Sequence, residues 1–140
     1  MVVASKPLLP RGIRNNNPGN IRLTNDQWLG MRAVQKDPDF VQFEAPEFGF
    51  RAMARVLRNY QRRGLTTIRE IISTYAPESE NATENYVRFV SDRLNISPEV
   101  SLELETVLID LIETIILFEN GPLFANFYSK QTIAQGVALA

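Results

Sequence analysis

The chain has 140 residues, no cysteine, no histidine, 44% hydrophobic residues and a formal charge of −1. Those absences exclude disulfides, thiolate zinc sites, cysteine nucleophiles, Ser-His-Asp triads and imidazole bases. Chemistry falls to Asp, Glu, Tyr, Ser, Lys or Arg, and carboxylates are the most capable of these at activating water or an alcohol. The length suits one domain, expected over 13–140 behind an extended arm at 1–12, and such a chain buries roughly two-thirds of its unfolded surface. The start has no basic segment followed by an apolar one, so no secretory signal is expected. The charge is uneven: residues 1–70 carry 12 Lys/Arg against 6 Asp/Glu, and residues 71–140 carry 3 against 10. That asymmetry fits either internal pairing between the halves or a basic face for an anionic polymer.

In chain order, Pro7, Pro10 and Gly12 punctuate an aperiodic arm. Arg11 to Arg22 is dense in turn formers, with Asn17 pushed out of the helical region by Pro18 and Gly19 free to take positive φ. Short strands are expected near Ile21–Leu23 and Phe40–Phe43, forming a small irregular β region. From Pro46 the period becomes helical, with Phe48, Ala52, Met53, Val56, Leu57 and Tyr60 on one face and Gly64 as the stop. Arg51, Arg55, Arg58 and Arg62 line the opposite face, either as a solvated stripe or as a contact for an anionic polymer. Thr67 to Glu70 has the form of a capping box for a short helix that Pro77 stops, and Asn81 to Glu84 repeats the signal. A long apolar helix is expected from Leu102 to Glu119, ended by Gly121 and Pro122. Its run from Val107 to Phe118, interrupted by Asp110 and Glu113, is too short to span a bilayer and reads as a buried helix. An aromatic turn at 123–128 and a terminal helix at 133–139 complete a mostly α (α+β) chain.

Several blocks occur in a fixed order: Asn15-Asn-Asn-Pro-Gly-Asn-Ile-Arg22, Trp28-Leu-Gly30, Phe40-Val-Gln-Phe43, Pro46 to Ala52, Ala76-Pro77 with Glu80 to Thr83, and Glu119-Asn-Gly121. This set resembles a family of short bacteriophage proteins described as virion structural proteins, which has lysozyme-like peptidoglycan-degrading relatives. The resemblance covers residues 11–140. It implies a lysozyme-like helical domain with a small β region near its N-terminus. It also implies phage origin and attack on the cell wall, by a muramidase or a lytic transglycosylase cutting the glycan strand. The implied place is the virion or host cytoplasm, with action in the periplasm and cell wall. Implied partners are peptidoglycan glycan strands and other virion proteins, with no cofactor, no metal and no membrane span. A non-enzymatic virion protein keeping the same fold is the alternative, and nucleic-acid binding through the arginine face ranks last because the acidic half offsets it.

Lysozyme-like cleavage needs a glutamic acid whose pKa burial has raised. Glu119 is the first candidate, because it ends the most apolar helix, where desolvation and the negative helix end both favour the protonated form. The segment Leu117 to Tyr128 also resembles the phage lysozyme element in which a helix ends in Phe-Glu-Gly and runs on to Ala-Tyr. In lysozymes that helix precedes the β region, so the order here suits a circular permutation. Glu44, after Phe43, is the second candidate. Glu47 follows, although the first turn of a helix favours an acidic residue for stability alone. Asn15, Asn16, Asn17 and Asn20 offer amides suited to sugar N-acetyl and hydroxyl groups, or to self-bonded turns. Trp28 and Tyr86, with Tyr60 and Tyr75, are candidate sugar-stacking rings. Asp37, Asp39 and Glu80 read as turn or cap residues.

Overall fold

The computed structural model describes residues 8–77 and 79–140, with backbone alone at Glu80 and Asn81. Among the described residues there are six α-helices: α1 (Arg11–Arg14), α2 (Pro46–Arg62), α3 (Ile68–Tyr75), α4 (Glu80–Leu94), α5 (Leu104–Asn120) and α6 (Lys130–Val137). A 3-10 turn, Pro122–Phe124, joins the last two. Residues 1–7 of the expected arm lie outside the described residues, and Arg11 and Gly12 already belong to α1.

Each helix starts and stops for a local reason. Pro46 opens α2, where its missing N–H and fixed φ cost nothing. Gly64 follows at φ +83, a conformation glycine takes without strain. The Thr67 capping box forms as the sequence suggests, with Thr67 accepting from the Glu70 N–H and Glu70 reaching back to the Thr67 N–H. The second expected box does not start α4. Ser79 is its cap and accepts from the Ala82 N–H, two residues before Asn81. Both residues are good caps, and the hydroxyl closer to Pro77 takes the position. Asn95 ends α4 in the left-handed region, at φ 55.

Helix α5 is the centre of the molecule. Leu104, Leu108, Leu111, Ile112, Ile115 and Ile116 are all buried, so the helix is apolar around most of its circumference. It packs against α1, α2, α4 and α6, while α3 packs on α4 and α2 on α6. One continuous apolar cluster runs from Ile21 and Val41 through Phe50, Met53, Leu57, Ile68 and Ile72 to Ile133 and Val137. The strands expected at Ile21–Leu23 and Phe40–Phe43 reduce to isolated antiparallel bridges, Arg22 with Phe40 and Met31 with Phe43. Side-chain amides take over part of the pairing there. Asn17 donates to the Ile21 and Val41 carbonyls and accepts from the Ile21 N–H, so it stands where a strand neighbour would. No helix among the described residues is long and apolar enough to cross a membrane.

The charge asymmetry resolves in part into internal pairing. Arg58 bonds Glu105, and Arg69 bonds both Glu84 and Glu99, so these pairs join the basic half to the acidic half.

Candidate functional site

Glu119 lies one residue before the end of α5, a helix held in place by its buried side chains. The neighbouring Asn120 anchors that end, its amide donating to the Pro18 carbonyl at 2.8 Å and to the Ile116 carbonyl at 2.9 Å. The asparagine loop is thereby brought against the catalytic candidate across about a hundred residues of sequence. Asn20 completes the contact, with its Nδ2 donating to Glu119 Oε1 at 2.9 Å. A hydrogen bond of this kind fixes the direction of the carboxyl group, and its other oxygen can still carry a proton.

The four asparagines have separate tasks. Asn15 is buried, donates to Asp37 at 2.9 Å and accepts from Gln42. Asn16 sits at φ 52 and donates to the Phe43 carbonyl. Asn17 is fully buried in the pseudo-strand role described above. These three spend their amides on the protein itself, as self-bonded turn residues do. Asn20, also at φ 52, is the one of the four that lines the groove beside Glu119. Asparagine tolerates the left-handed region better than other side chains, which accounts for two of the four positions.

The groove above Glu119 has a volume of about 590 Å³ and is walled by Asn20, Arg22, Trp28, Tyr60, Tyr75 and Pro77, among others. A second lobe of about 340 Å³, lined by Ala82, Asn85, Tyr86 and Phe118, shares Ala76 and Glu119 with the first. A third lobe of about 580 Å³ shares Asp26, Trp28, Val56 and Tyr60 with the first and carries Arg51, Arg55 and Arg62 on its wall. Glu119 and Ala76 therefore line both lobes.

Two tyrosines flank this position. Tyr75 donates from its hydroxyl to the Gly19 carbonyl at 2.5 Å. A Cβ at Gly19 would run into that hydroxyl, so the close approach of loop and α3 requires glycine. Burial pushes the Tyr75 phenol well above its ordinary pKa, and the Glu119 charge adds to the effect. Tyr86 is buried, stacks on Phe118 with ring centroids 3.7 Å apart, and has its pKa raised by burial and then by Glu119. Both phenols therefore stay protonated beside the carboxylate at neutral pH.

The other candidates lie elsewhere. Glu44 is exposed and Glu47 half-buried in the first turn of α2, and neither lines the lobes around Glu119. Trp28 does line the groove, with its indole Nε1 buried and without a protein partner among the described residues. Asp37 is structural. It is buried and paired with Arg11, whose hydrogen bond holds its carboxyl well below the usual range. The sequence reading missed Asp26, an exposed carboxylate that lines both the first and third lobes. Its segment, Thr24-Asn-Asp26, carries only a turn signal, which Thr24 satisfies by bonding Asp26. Among the described residues there is no cluster of three or more acidic side chains able to hold a metal ion.

Comparison with known proteins gives the chain a relative. It is 42% identical over 130 residues to protein P5 of Pseudoalteromonas phage PM2, a match spanning 90% of this chain and 79% of that protein. The chain belongs to the phage P5 family. No family model matches it. The match supports the phage origin that the ordered motifs imply.

Proposed function

We propose that this P5-family protein is a peptidoglycan-degrading phage enzyme that cuts the glycan strand, with Glu119 as general acid. The observation that carries the proposal is the place of Glu119: on the lining of two groove lobes, aimed by Asn20 and flanked by Tyr75 and Tyr86. A polymer cut in mid-strand needs binding room on both sides of the scissile bond, and a residue that lines two adjoining lobes supports that reading. The absence of histidine and cysteine argues against amide-bond routes through the wall and leaves the glycan.

In the proposed step, Glu119 gives its proton to the glycosidic oxygen as the bond to the anomeric carbon breaks. Two closing steps balance the reaction. Either water adds to the anomeric carbon and yields its proton to a second carboxylate, for which Asp26 is the groove candidate, or the sugar's own primary hydroxyl adds and returns its proton to Glu119. The first gives a reducing end, the second an anhydro sugar, and only the second runs on one carboxylate. Tyr60, Tyr75 and Trp28 supply ring surface for the sugars, and Asn20 orients Glu119 toward them through its amide. The lysozyme-like domain over 13–140 and action on the wall during entry or release belong to the same proposal.

Purified protein incubated with isolated cell walls tests it. Release of reducing ends or anhydro-muropeptides, with no free peptides, is the expected result. Intact walls, together with the protein's presence in purified particles, would instead favour a non-enzymatic virion component.

A further inference from the structure

The groove continues past Trp28 and Tyr60 into the third lobe, whose wall is basic. Arg51, Arg55 and Arg62 lie along α2 over a rise of about 16 Å, taking the usual helical rise per residue. None of the three joins an ion pair among the described residues, whereas Arg58 on the same helix is paired with Glu105. Arg51 donates to the Leu139 carbonyl, which fixes its stem at the rim. Its pKa is lowered by burial and by the neighbouring Arg55 charge, as expected of two cations held side by side. Asn59 adds an amide to the same wall, and Asp26 contributes one negative charge.

We propose that this lobe binds the carboxylates of the peptide side chains carried by the glycan strand, so that the protein prefers peptide-bearing over bare glycan. The proposal rests on the glycan-strand reading of the groove. Guanidinium forks match carboxylates in a planar, two-bonded way, and Asn59 can both donate to and accept from a peptide bond. The lobe joins three arginines to the single carboxylate of Asp26, a mixed lining that suits a short branch with a few spaced carboxylates and backbone amides better than the continuous charge of a phosphate polymer. The shared wall of Trp28, Val56 and Tyr60 places the basic lobe beside the sugar-binding stretch, where a side branch of the strand would emerge.

The test uses the full chain and two soluble substrates, glycan strands with their peptides intact and the same strands stripped by an amidase. Wild type is expected to show a KM for peptide-bearing strands about tenfold below that for stripped ones, the size of one or two charge-assisted contacts. In Arg55→Gln/Arg62→Gln that preference collapses to about twofold or less, while Arg58→Gln, the same charge change at a paired site, keeps it. Both substituted residues are exposed, and a circular dichroism melt confirms the fold. Binding of the two strands to Glu119→Gln, measured without turnover, reads the same preference independently of catalysis. Absence of cleavage with the binding preference intact removes the enzyme and leaves the basic lobe. Equal binding of both strands, a preference that survives the double substitution, or displacement of peptide-bearing strands by duplex DNA at low salt would overturn the proposal.

Discussion

Replacing Asn20 by glycine and by alanine separates the backbone demand of this position from the work of its side chain. The residue sits at φ 52, donates to Glu119 at 2.9 Å, and leaves its Oδ1 buried without a partner among the described residues. Glycine keeps the left-handed backbone and deletes both polar atoms. The lost hydrogen bond costs about 0.5–3 kcal/mol across the two protonation states of Glu119, and removing an unsatisfied buried acceptor returns about 1–3 kcal/mol. The two effects offset, so Asn20→Gly is expected to melt within about 3 °C of wild type, given a few degrees per kcal/mol at this size. Alanine makes the same deletion and adds a Cβ in the left-handed region, a further cost of about 1–2 kcal/mol. Asn20→Ala should therefore melt about 3–8 °C below the glycine variant. Activity should follow the side chain, with both variants losing wall cleavage about tenfold or more as Glu119 loses the donor that orients it. Differential scanning fluorimetry and product release from isolated walls make the two measurements. Equal melting of the two variants would refute the backbone argument, and wild-type activity in Asn20→Gly would refute the role given to the Asn20–Glu119 bond.

Two further outcomes concern pH. Asp37 has its pKa depressed by Arg11, so its contribution to stability is present above its ordinary 3.8 and is lost as the pH falls below that value. Asp37→Asn should lower the melting temperature at neutral pH and flatten its decline on acidification; an unchanged acid slope would contradict the pairing. All four tyrosines, Tyr60, Tyr75, Tyr86 and Tyr128, have pKa values raised by burial, Tyr128 to about 12. Raised values stabilise the fold fully below the ordinary 10.0 and lose that contribution as the pH climbs through the folded values. Absorbance of tyrosinate should appear together with loss of helical circular dichroism above pH 10, and phenols titrating near 10 in an intact fold would contradict their burial.

The helices were legible because their signals are local. Pro46, Gly64, the Thr67 box and Gly121 each act within a turn, and the apolar stripe of α2 repeats at a fixed period. The β region was less legible, because asparagine side chains bond the backbone in place of strand neighbours at Asn16 and Asn17, and composition does not distinguish an amide used internally from one offered to a sugar. Glu119 could be chosen from its place after an apolar helix. Its partnership with Asn20 could not, since it depends on Asn120 gripping Pro18 across the whole chain. Asp26 was overlooked for a related reason: an exposed aspartate in a turn has no sequence mark until the groove around it is known. Within the arginine stripe Arg58 enters an ion pair while Arg51, Arg55 and Arg62 line a groove wall, a division that depends on where Glu105 packs and leaves no mark in the stripe itself.

The central claim is that Glu119 supplies the proton for glycan cleavage, and one comparison of three variants tests it most directly. Glu119→Gln, Glu44→Gln and Glu47→Gln are assayed side by side for soluble muropeptides released from purified cell walls. Glu119→Gln should fall by about a hundredfold or more, the range for loss of general acid catalysis. Glu44→Gln and Glu47→Gln, which lie away from the groove, should stay near wild type. Wall cleavage that survives in Glu119→Gln, or that fails in Glu44→Gln while its fold is intact, would contradict the account.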